Sequence, residues 1–351
     1  MVAAQVERPA TQEELARLLH EADGAGLAVV PVGGGRLSQM GGVLERCDVE
    51  LHTSRLDRVI EHSPADMVVT VEAGITLEAL QAELSQHNQF LPLDPFGAPG
   101  HTIGGILATG SNGPLRFRFG TARDFLIGIR VALPDGSLAT AGGRVVKNVS
   151  GYDLMKLHHG ALGTLGVITA ASFKVFPKPL HDVTVESRDG WDGATRALSL
   201  PLAPAALELF ADGRVVARFI GSPDAVNRMT ADLGWSPSPD GFWQQHATEM
   251  GMARIATPRA KLREVVGGLS NWWASPGAGV AYWSFSDAAQ VTAARQAAEA
   301  AGGSLVLIGA PDDVKRQVGA WGSSPATIDT MRRIKKAFDP KRTLNPGRFV
   351  I

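Results

Sequence analysis

The sequence predicts an α+β protein in two parts: an N-terminal unit of alternating short strands and helices, then an antiparallel sheet with helices on one face. Three observations predict it. Across the first 178 residues, valine-rich runs such as Met67 to Ala73 alternate with helical spacings such as Leu77, Leu80 and Leu84. Pro177-Lys178-Pro179 then interrupts the pattern, as a domain boundary would. Beyond it the order of strands and helices changes, and all seven tryptophans, Trp191 to Trp321, lie there. We therefore divide the chain into 1–178, 179–325 and a tail, 326–351, too apolar at its end to hang free and expected to fold back onto the first unit.

A chain of 351 residues, 44% hydrophobic and 20% charged, is long enough for two separate cores. A net charge of −1 favours neither nucleic acid nor an acidic membrane surface as a partner of the whole molecule. Cys47 is the sole cysteine, which excludes an internal disulfide framework and a cysteine-ligated iron–sulfur cluster built by this chain alone. The N-terminal residues lack a basic stretch followed by an apolar core, and no later apolar run is long enough to span a bilayer. A cytoplasmic protein is expected, and Asn148-Val149-Ser150 is then only a chance glycosylation sequon.

Thr11-Gln12-Glu13-Glu14 reads as a capping box, and Leu15, Leu18 and Leu19 give the helix behind it an apolar face that closes near Gly24 to Gly26. A strand from Leu27 to Val32 runs into Gly33-Gly34-Gly35. The following Arg36-Leu37-Ser38-Gln39-Met40-Gly41-Gly42 is a poor helix former, so the strand–glycine–helix signature of a nicotinamide-binding unit fails. Strands are expected at Val49 to His52, Met67 to Ala73, Phe125 to Leu133 and Gly166 to Pro177, and a helix at Thr76 to His87. Pro134-Asp135-Gly136-Ser137 is a turn. Arg116-Phe117-Arg118-Phe119 alternates like a half-exposed strand.

In the second part, strands fall near Val183 to Glu186, Ala206 to Phe210, Val215 to Ile220, Gly279 to Phe285 and Ser304 to Ile308. Helices fall near Pro223 to Leu233, Pro258 to Leu269 and Ala288 to Ala301. Trp243 and Trp272-Trp273 suit either a core or a protein interface. The tail forms a helix from Ala326 to Phe338, with Ile328, Met331, Ile334 and Phe338 on one stripe, stopped by Asp339-Pro340.

Two stretches carry the chemistry. Gly33-Gly34-Gly35-Arg36 follows a strand, and Gly100 to Gly113 spaces five glycines among small and apolar residues. Glycine at such density marks places where backbone must approach something closely, and successive N–H groups in a glycine turn form an anion-binding nest. Neither Gly-Lys-Ser nor Gly-Lys-Thr occurs, so a nucleotide held by a phosphate-loop lysine is excluded. Two such loops suit a cofactor with both a pyrophosphate and a flat ring system, and FAD is expected. Taken singly, a triple glycine is also what a tight strand exit needs.

The combination resembles the flavoproteins related to p-cresol methylhydroxylase and vanillyl-alcohol oxidase. The shared residues are Pro31-Val32-Gly33-Gly34-Gly35, Thr102-Ile103-Gly104-Gly105-Ile106-Leu107-Ala108-Thr109, Tyr152-Asp153-Leu154 and Gly163-Thr164-Leu165-Gly166-Val167-Ile168-Thr169. Phe338-Asp339-Pro340 and Leu344-Asn345-Pro346-Gly347-Arg348 extend the likeness to the C-terminus. In length, and in the run Arg144 to Leu154, the chain is similar to the smaller FAD-binding subunits of bacterial glycolate oxidases. The resemblance implies a PCMH-type FAD-binding domain of two α/β subdomains over 1–178, and a cap of antiparallel sheet and helices over 179–325. It implies that Gly33, Gly34, Gly35 and Arg36 meet the pyrophosphate, that Asp94, Pro95, Thr102, Ile103, Gly104, Gly105, Thr109 and Gly113 border the flavin and ribityl chain, and that Gly166 and Ile168 lie along the cofactor. Thr109 and Asp94 also suit simple turn capping.

Two departures matter. Some relatives tether FAD through a histidine just after the first glycine loop; Arg36, Leu37 and Ser38 stand there, so non-covalent FAD is expected. The His-x-Gly-Asp-Gly-Asn-x-His metal run of the catalytic 2-hydroxy-acid dehydrogenases does not occur, and His158-His159 are adjacent and point apart, so no metal is expected. Arg116, Arg118, Arg123 and Arg348 are candidate anion holders, the first three reading more readily as solvated; no catalytic base is assigned. The resemblance implies oxidation of glycolate to glyoxylate within a complex that includes a larger FAD-containing subunit and an iron–sulfur subunit, peripheral to the inner membrane through those partners. A self-sufficient FAD oxidase or dehydrogenase of another hydroxy acid or alcohol, and a non-catalytic stabilising subunit, are the alternatives.

Overall fold

The computed structural model describes residues 5–143 and 153–351. The sequon and the run Arg144 to Tyr152 lie outside the described residues.

The chain opens with β1 (Gln5–Glu7), α1 (Gln12–Gly24), β2 (Val29–Val32) and β3 (Val49–His52), a parallel three-stranded sheet in the order β1-β3-β2. Thr11 caps α1 by accepting the Glu14 N–H, while the Glu14 carboxylate reaches back to the Ala10 N–H. Leu15 and Leu19 on α1 pack with Val29, Val49 and Leu51. No helix follows β2.

A second sheet collects β4 (Val59–Ser63), β5 (Val68–Glu72), β7 (Leu126–Ala132), β8 (Leu138–Gly142) and β9 (Val167–Lys174) in the order β4-β5-β9-β7-β8, antiparallel throughout. α2 (Leu77–Ser85) and α3 (Ile103–Thr109) lie against it, and Leu80, Leu84, Ile103, Ile106 and Phe173 share its core. A short antiparallel pair, β6 (Gln89–Phe90) with β10 (Phe176–Pro177), sits beside it. The glycine-rich segment Gly100 to Gly113 is thus helical in its middle, capped by Thr102 and closed by Gly110 at φ +61°.

The strand expected at Arg116 to Phe119 is instead one helical turn, α4 (Arg116–Phe119), closed by hydrogen bonds from Phe119 N to Leu115 O and from Gly120 N to Arg116 O. Four alternating residues cannot distinguish the two, and Pro114 just before Leu115 favours the turn. Arg118 donates to Ile220 O at 2.7 Å rather than standing in solvent. α5 (Ala122–Phe125) and α6 (Met155–His158) are similarly short.

β11 (His181–Ser187), β12 (Ala206–Phe210), β13 (Val215–Gly221), β14 (Ser236–Pro237), β15 (Ala253–Ala256), β16 (Trp272–Ser275), β17 (Val280–Trp283) and β18 (Ser304–Leu307) form one antiparallel sheet in the order β14-β11-β13-β12-β16-β17-β15-β18. α7 (Gly190–Leu198), α8 (Pro223–Leu233), α9 (Phe242–Ala247), α10 (Arg259–Val266) and α11 (Ala288–Ala300) accompany these strands. α7, α8, α10 and α11 supply core residues such as Ala194, Val226, Leu262 and Val291. Trp273 and Trp283 are core residues, while Trp243 is half-buried and donates to Thr184 Oγ1.

After α12 (Asp312–Val318) and α13 (Ile328–Phe338) the chain returns to β2: Val29 N donates to Thr343 O and Asn345 N to Val29 O, setting Leu344 parallel beside Val29. Asp339, 1% exposed, accepts the Thr343 and Leu344 N–H groups at 2.8 Å each and pairs with Lys335 at 2.5 Å. That buried carboxylate shapes the turn which carries Asn345 and Arg348 to the first unit.

Candidate functional site: a glycine-walled cleft

The two glycine turns touch. Thr102 Oγ1 accepts the N–H of Gly105, two residues into α3, and the N–H of Gly34 at 3.3 Å. A β-carbon at Gly33 would lie 2.2 Å from that oxygen, and one at Gly34 would lie 1.9 Å from Gly100 O. Gly35 is different: its φ of +70° is left-handed, where glycine is favoured and asparagine tolerated, while nothing stands within 4 Å of its missing side chain. Gly104 is forced by space again, with Ala73 Cβ 2.8 Å from where a β-carbon would go.

Beside this junction opens a cleft of about 1110 Å3. Its further walls come from Leu162 to Gly163, from Val167 and Ile168 on β9, from Pro311, Asp312 and Arg316 around α12, and from Asn345 and Arg348 of the returning tail. Arg36, Arg316 and Arg348 give it cationic character suited to a pyrophosphate. Two buried polar atoms on the wall have no partner, His101 Nε2 and Asn345 Oδ1; the Asn345 amide donates its Nδ2–H to Leu162 O and is thereby fixed in orientation. Glycines that leave no room for side chains, arginines and orphaned polar atoms around a dinucleotide-sized space fit FAD.

A second cavity, about 30 Å3, shares Leu37 and Met40 with the first and is walled by Ser111, Asn112, Arg254 and Tyr282. Arg254 and Tyr282 are cross-strand partners on β15 and β17. Tyr282 donates to Asn112 O at 3.3 Å, and the Ser111 hydroxyl and Asn112 Oδ1 are buried without partners. Burial raises the Tyr282 phenol above its ordinary value, opposed by the nearby Arg254 and Arg116 guanidinium groups, so it stays a neutral donor. A space of this size takes a carboxylate group at most, and an arginine, a phenol and two orphaned polar groups can hydrogen-bond one.

Three other titrating groups are shifted, His101 and Cys47 on the main cleft and Asp94 outside its wall. Burial pushes the Asp94 carboxyl up to about 7, against the Leu115 N–H that its Oδ2 accepts. Burial lowers His101 and keeps it neutral, and burial followed by Glu50 and Asp48 raises the Cys47 thiol.

Of the residues expected from the sequence, Gly33, Gly34, Gly35, Arg36, Thr102, Gly104, Gly105, Thr109 and Ile168 line the main cleft. Asp94, Pro95, Ile103, Gly113 and Gly166 are outside its wall. Ile103 points into the sheet core. Gly113 presses on the Asp94 main chain, where a β-carbon would lie 1.7 Å from Asp94 O, and this pair braces the loop behind the cavity. Gly166 turns toward Ala132 and Leu133. Gly34 N is engaged with Thr102 in this structure. Among the arginine candidates, Arg348 lines the cleft, donating to Gly42 O, and Arg116 acts on the second cavity through Tyr282; Arg118 and Arg123 line neither. Sequence reading missed Arg254 and Tyr282, whose only signal was the polar and aromatic interruption of two apolar strands.

Residues 3–152 match the FAD binding domain family, and residues 314–349 match the C-terminal domain of FAD linked oxidases. FAD is therefore the ligand of the main cleft's domain. Glycolate oxidase subunit GlcE of Escherichia coli is 29% identical over 321 residues, 86% of each chain. The mitochondrial D-lactate dehydrogenase [cytochrome] of Arabidopsis thaliana is 36% identical over 175 residues, covering 50% of this chain and 30% of that one. The D-lactate dehydrogenase of Archaeoglobus fulgidus is 33% identical over 180 residues, 51% of this chain and 40% of that one. The chain thus spans well under half the length of these dehydrogenases. Among solved structures an alkyldihydroxyacetonephosphate synthase superposes with a TM-score of 0.70 at 18% identity, covering 97% of this chain and 76% of that one, a likeness of fold.

Proposed function

We propose that this chain, a member of the FAD-linked oxidases through the FAD binding domain at 3–152 and the oxidase C-terminal domain at 314–349, is the FAD-holding subunit of a glycolate oxidase assembly. The observation that carries the reading is the small cavity of Arg254 and Tyr282 opening beside the FAD cleft at Leu37 and Met40, within a chain aligned over 86% of a glycolate oxidase subunit.

In this reading 1–178 holds the cofactor, 179–325 caps it, and 326–351 returns to close it. Gly33, Gly35, Arg36, Arg316 and Arg348 hold the pyrophosphate, and Thr102, Gly104, Gly105, Thr109 and Ile168 border the rest of the cofactor. Bound non-covalently, FAD supplies the acceptor of the two electrons and the hydrogen that leave the carbinol carbon. Arg254 and Tyr282 bind the carboxylate of a 2-hydroxy acid and aim that carbon toward the cleft, while Ser111 and Asn112 meet its hydroxyl. The apolar cluster of Met40, Phe96, Leu162, Trp273 and Ile308 excludes water around them.

With Cys47 as its only cysteine, the chain cannot ligate a cluster by itself, so the electrons pass on to an iron–sulfur partner, alongside a larger FAD-containing subunit. No helix among the described residues is long and apolar enough to cross a membrane, and peripheral attachment through those partners is part of the proposal.

Affinity purification from the native host, followed by anaerobic addition of glycolate, tests this. The chain should arrive with a larger flavoprotein and a cysteine-rich subunit, and glycolate should bleach the flavin absorbance. A lone chain with full activity would remove the partners from the proposal, and a complex that bleaches only with other alcohols would remove the substrate.

A further inference from the structure

Away from the cleft, at the open edge of the five-stranded sheet, His62 of β4 meets the C-terminal end of α2. Its ring packs edge-on against His87 with centroids 4.9 Å apart, and one ligand atom from each of His62, Glu83 and His87 lies within 4.8 Å of the other two. Glu83 lies in the last turn of α2 and His87 just beyond its end, where the His87 N–H bonds the Leu84 carbonyl. None of the three lines either cavity.

The tautomer of His62 is set by its neighbour. Buried Gln89 donates its Nε2–H to Pro64 O at 2.8 Å, which turns its Oε1 toward His62 Nε2, also at 2.8 Å. That oxygen can only accept, so the His62 proton resides on Nε2 and Nδ1 keeps a bare lone pair. Nδ1 is buried and has no hydrogen-bond partner. A buried acceptor left without a donor is disfavoured. An imidazole whose far N–H is tied to a carbonyl while its near nitrogen is free has the arrangement found in metal-ligating histidines.

We propose that His62, Glu83 and His87 form a binding site for a Zn2+-class divalent cation, with His62 Nδ1 as one ligand and one coordination position left open. Two neutral imidazoles and one carboxylate suit zinc better than magnesium or calcium, which favour all-oxygen shells. Metal–ligand bonds of about 2.1 Å place tetrahedral ligands about 3.4 Å apart, so the cluster closes by about 1.4 Å at most, through the exposed His87 and half-buried Glu83. The cation would tie edge strand β4 to α2. Sequence inspection alone sees Glu83-x-x-x-His87 without its third member, which arrives from a different element.

Calorimetric titration of the untagged full chain with ZnCl2, after treatment with EDTA and dialysis, tests the site; flavin absorbance checks that each variant is folded. One equivalent should bind with a dissociation constant of about 1 μM or tighter. His87→Ala changes an exposed group and Glu83→Gln keeps the shape of a half-buried one, and each should weaken binding by about 10-fold or more. Co2+ in place of Zn2+ should give visible bands of a nitrogen and oxygen site that vanish in His62→Ala. Binding weaker than about 100 μM, or unchanged in the folded His87→Ala and Glu83→Gln variants, would overturn the assignment.

Discussion

The backbone N–H of Gly34 donates to the hydroxyl of Thr102 at 3.3 Å, joining two glycine turns across 68 residues of sequence. The same oxygen lies 2.2 Å from where a β-carbon on Gly33 would go, so the first turn can sit there only without side chains. Cofactor binding and turn packing are therefore one constraint.

Gly34→Ala should all but abolish FAD binding. Its methyl would meet the Gly100 carbonyl at 1.9 Å, a backbone atom with no rotamer to yield, and forcing the loops apart should cost at least about 2 kcal/mol, or roughly 30-fold in affinity. Gly35→Asn tests the other reason for glycine. There the space is open and only the φ of +70° must be met, which asparagine tolerates, so that variant should keep most of its bound flavin. Flavin absorbance per chain after gel filtration reads both.

These turns were legible because a nest needs no particular side chains, only glycines in a row after a strand. Legibility fails where a wall is assembled from afar. The tail's return and Arg348 were readable, but Asn345 reaches the cleft only because Asp339 folds the tail against β2, and Arg254 and Tyr282 become neighbours only through strand register. Arg116 to Phe119 misled because two-residue alternation over four positions fits one helical turn as well as a strand.

The flavin should come free on acid precipitation, leaving a colourless pellet. Cys47 and His101 both line the cleft and could in principle form a tether. Burial raises the Cys47 thiol, however, which holds down the thiolate that would attack, and no histidine follows the first glycine turn. Yellow protein in the pellet would contradict non-covalent binding, and peptide mapping would then name the residue.

Arg254→Met should raise KM for glycolate by about 10- to 100-fold, the range expected for loss of a charged hydrogen bond, while leaving FAD content unchanged. Tyr282→Phe removes only the hydroxyl that reaches Asn112 O and should act in the same direction more weakly. Steady-state rates of the assembled complex separate the effects. An Arg254→Met enzyme with unaltered KM would place the substrate carboxylate elsewhere.

Asp339→Ala should lower stability by about 3 to 5 kcal/mol, because it strips a buried carboxylate from Lys335 and leaves the Thr343 and Leu344 N–H groups without their acceptor. FAD affinity should fall with it, since the same turn delivers Asn345 and Arg348 to the cleft. Denaturant unfolding and flavin titration on one preparation would reveal the coupling. Lost stability with untouched affinity would separate tail from cofactor.

Stability should decline as pH rises from about 6.5 toward about 9, through His246. Burial opposes its charge, yet Glu208 at 3.5 Å and Glu249 at 3.3 Å outweigh that and lift the imidazole to about 9. A group whose pKa is higher folded than unfolded binds its proton more tightly in the native state, so its stabilisation is complete below 6.5 and lost on passing the folded value. The full loss amounts to roughly 3 kcal/mol. Glu208, fully buried and also bonded by Ser275, would then face an uncharged ring. Urea midpoints from pH 6 to 10 should slope downward in the native chain, and the slope should flatten in His246→Gln. A slope unchanged by that substitution would move the titration to another group.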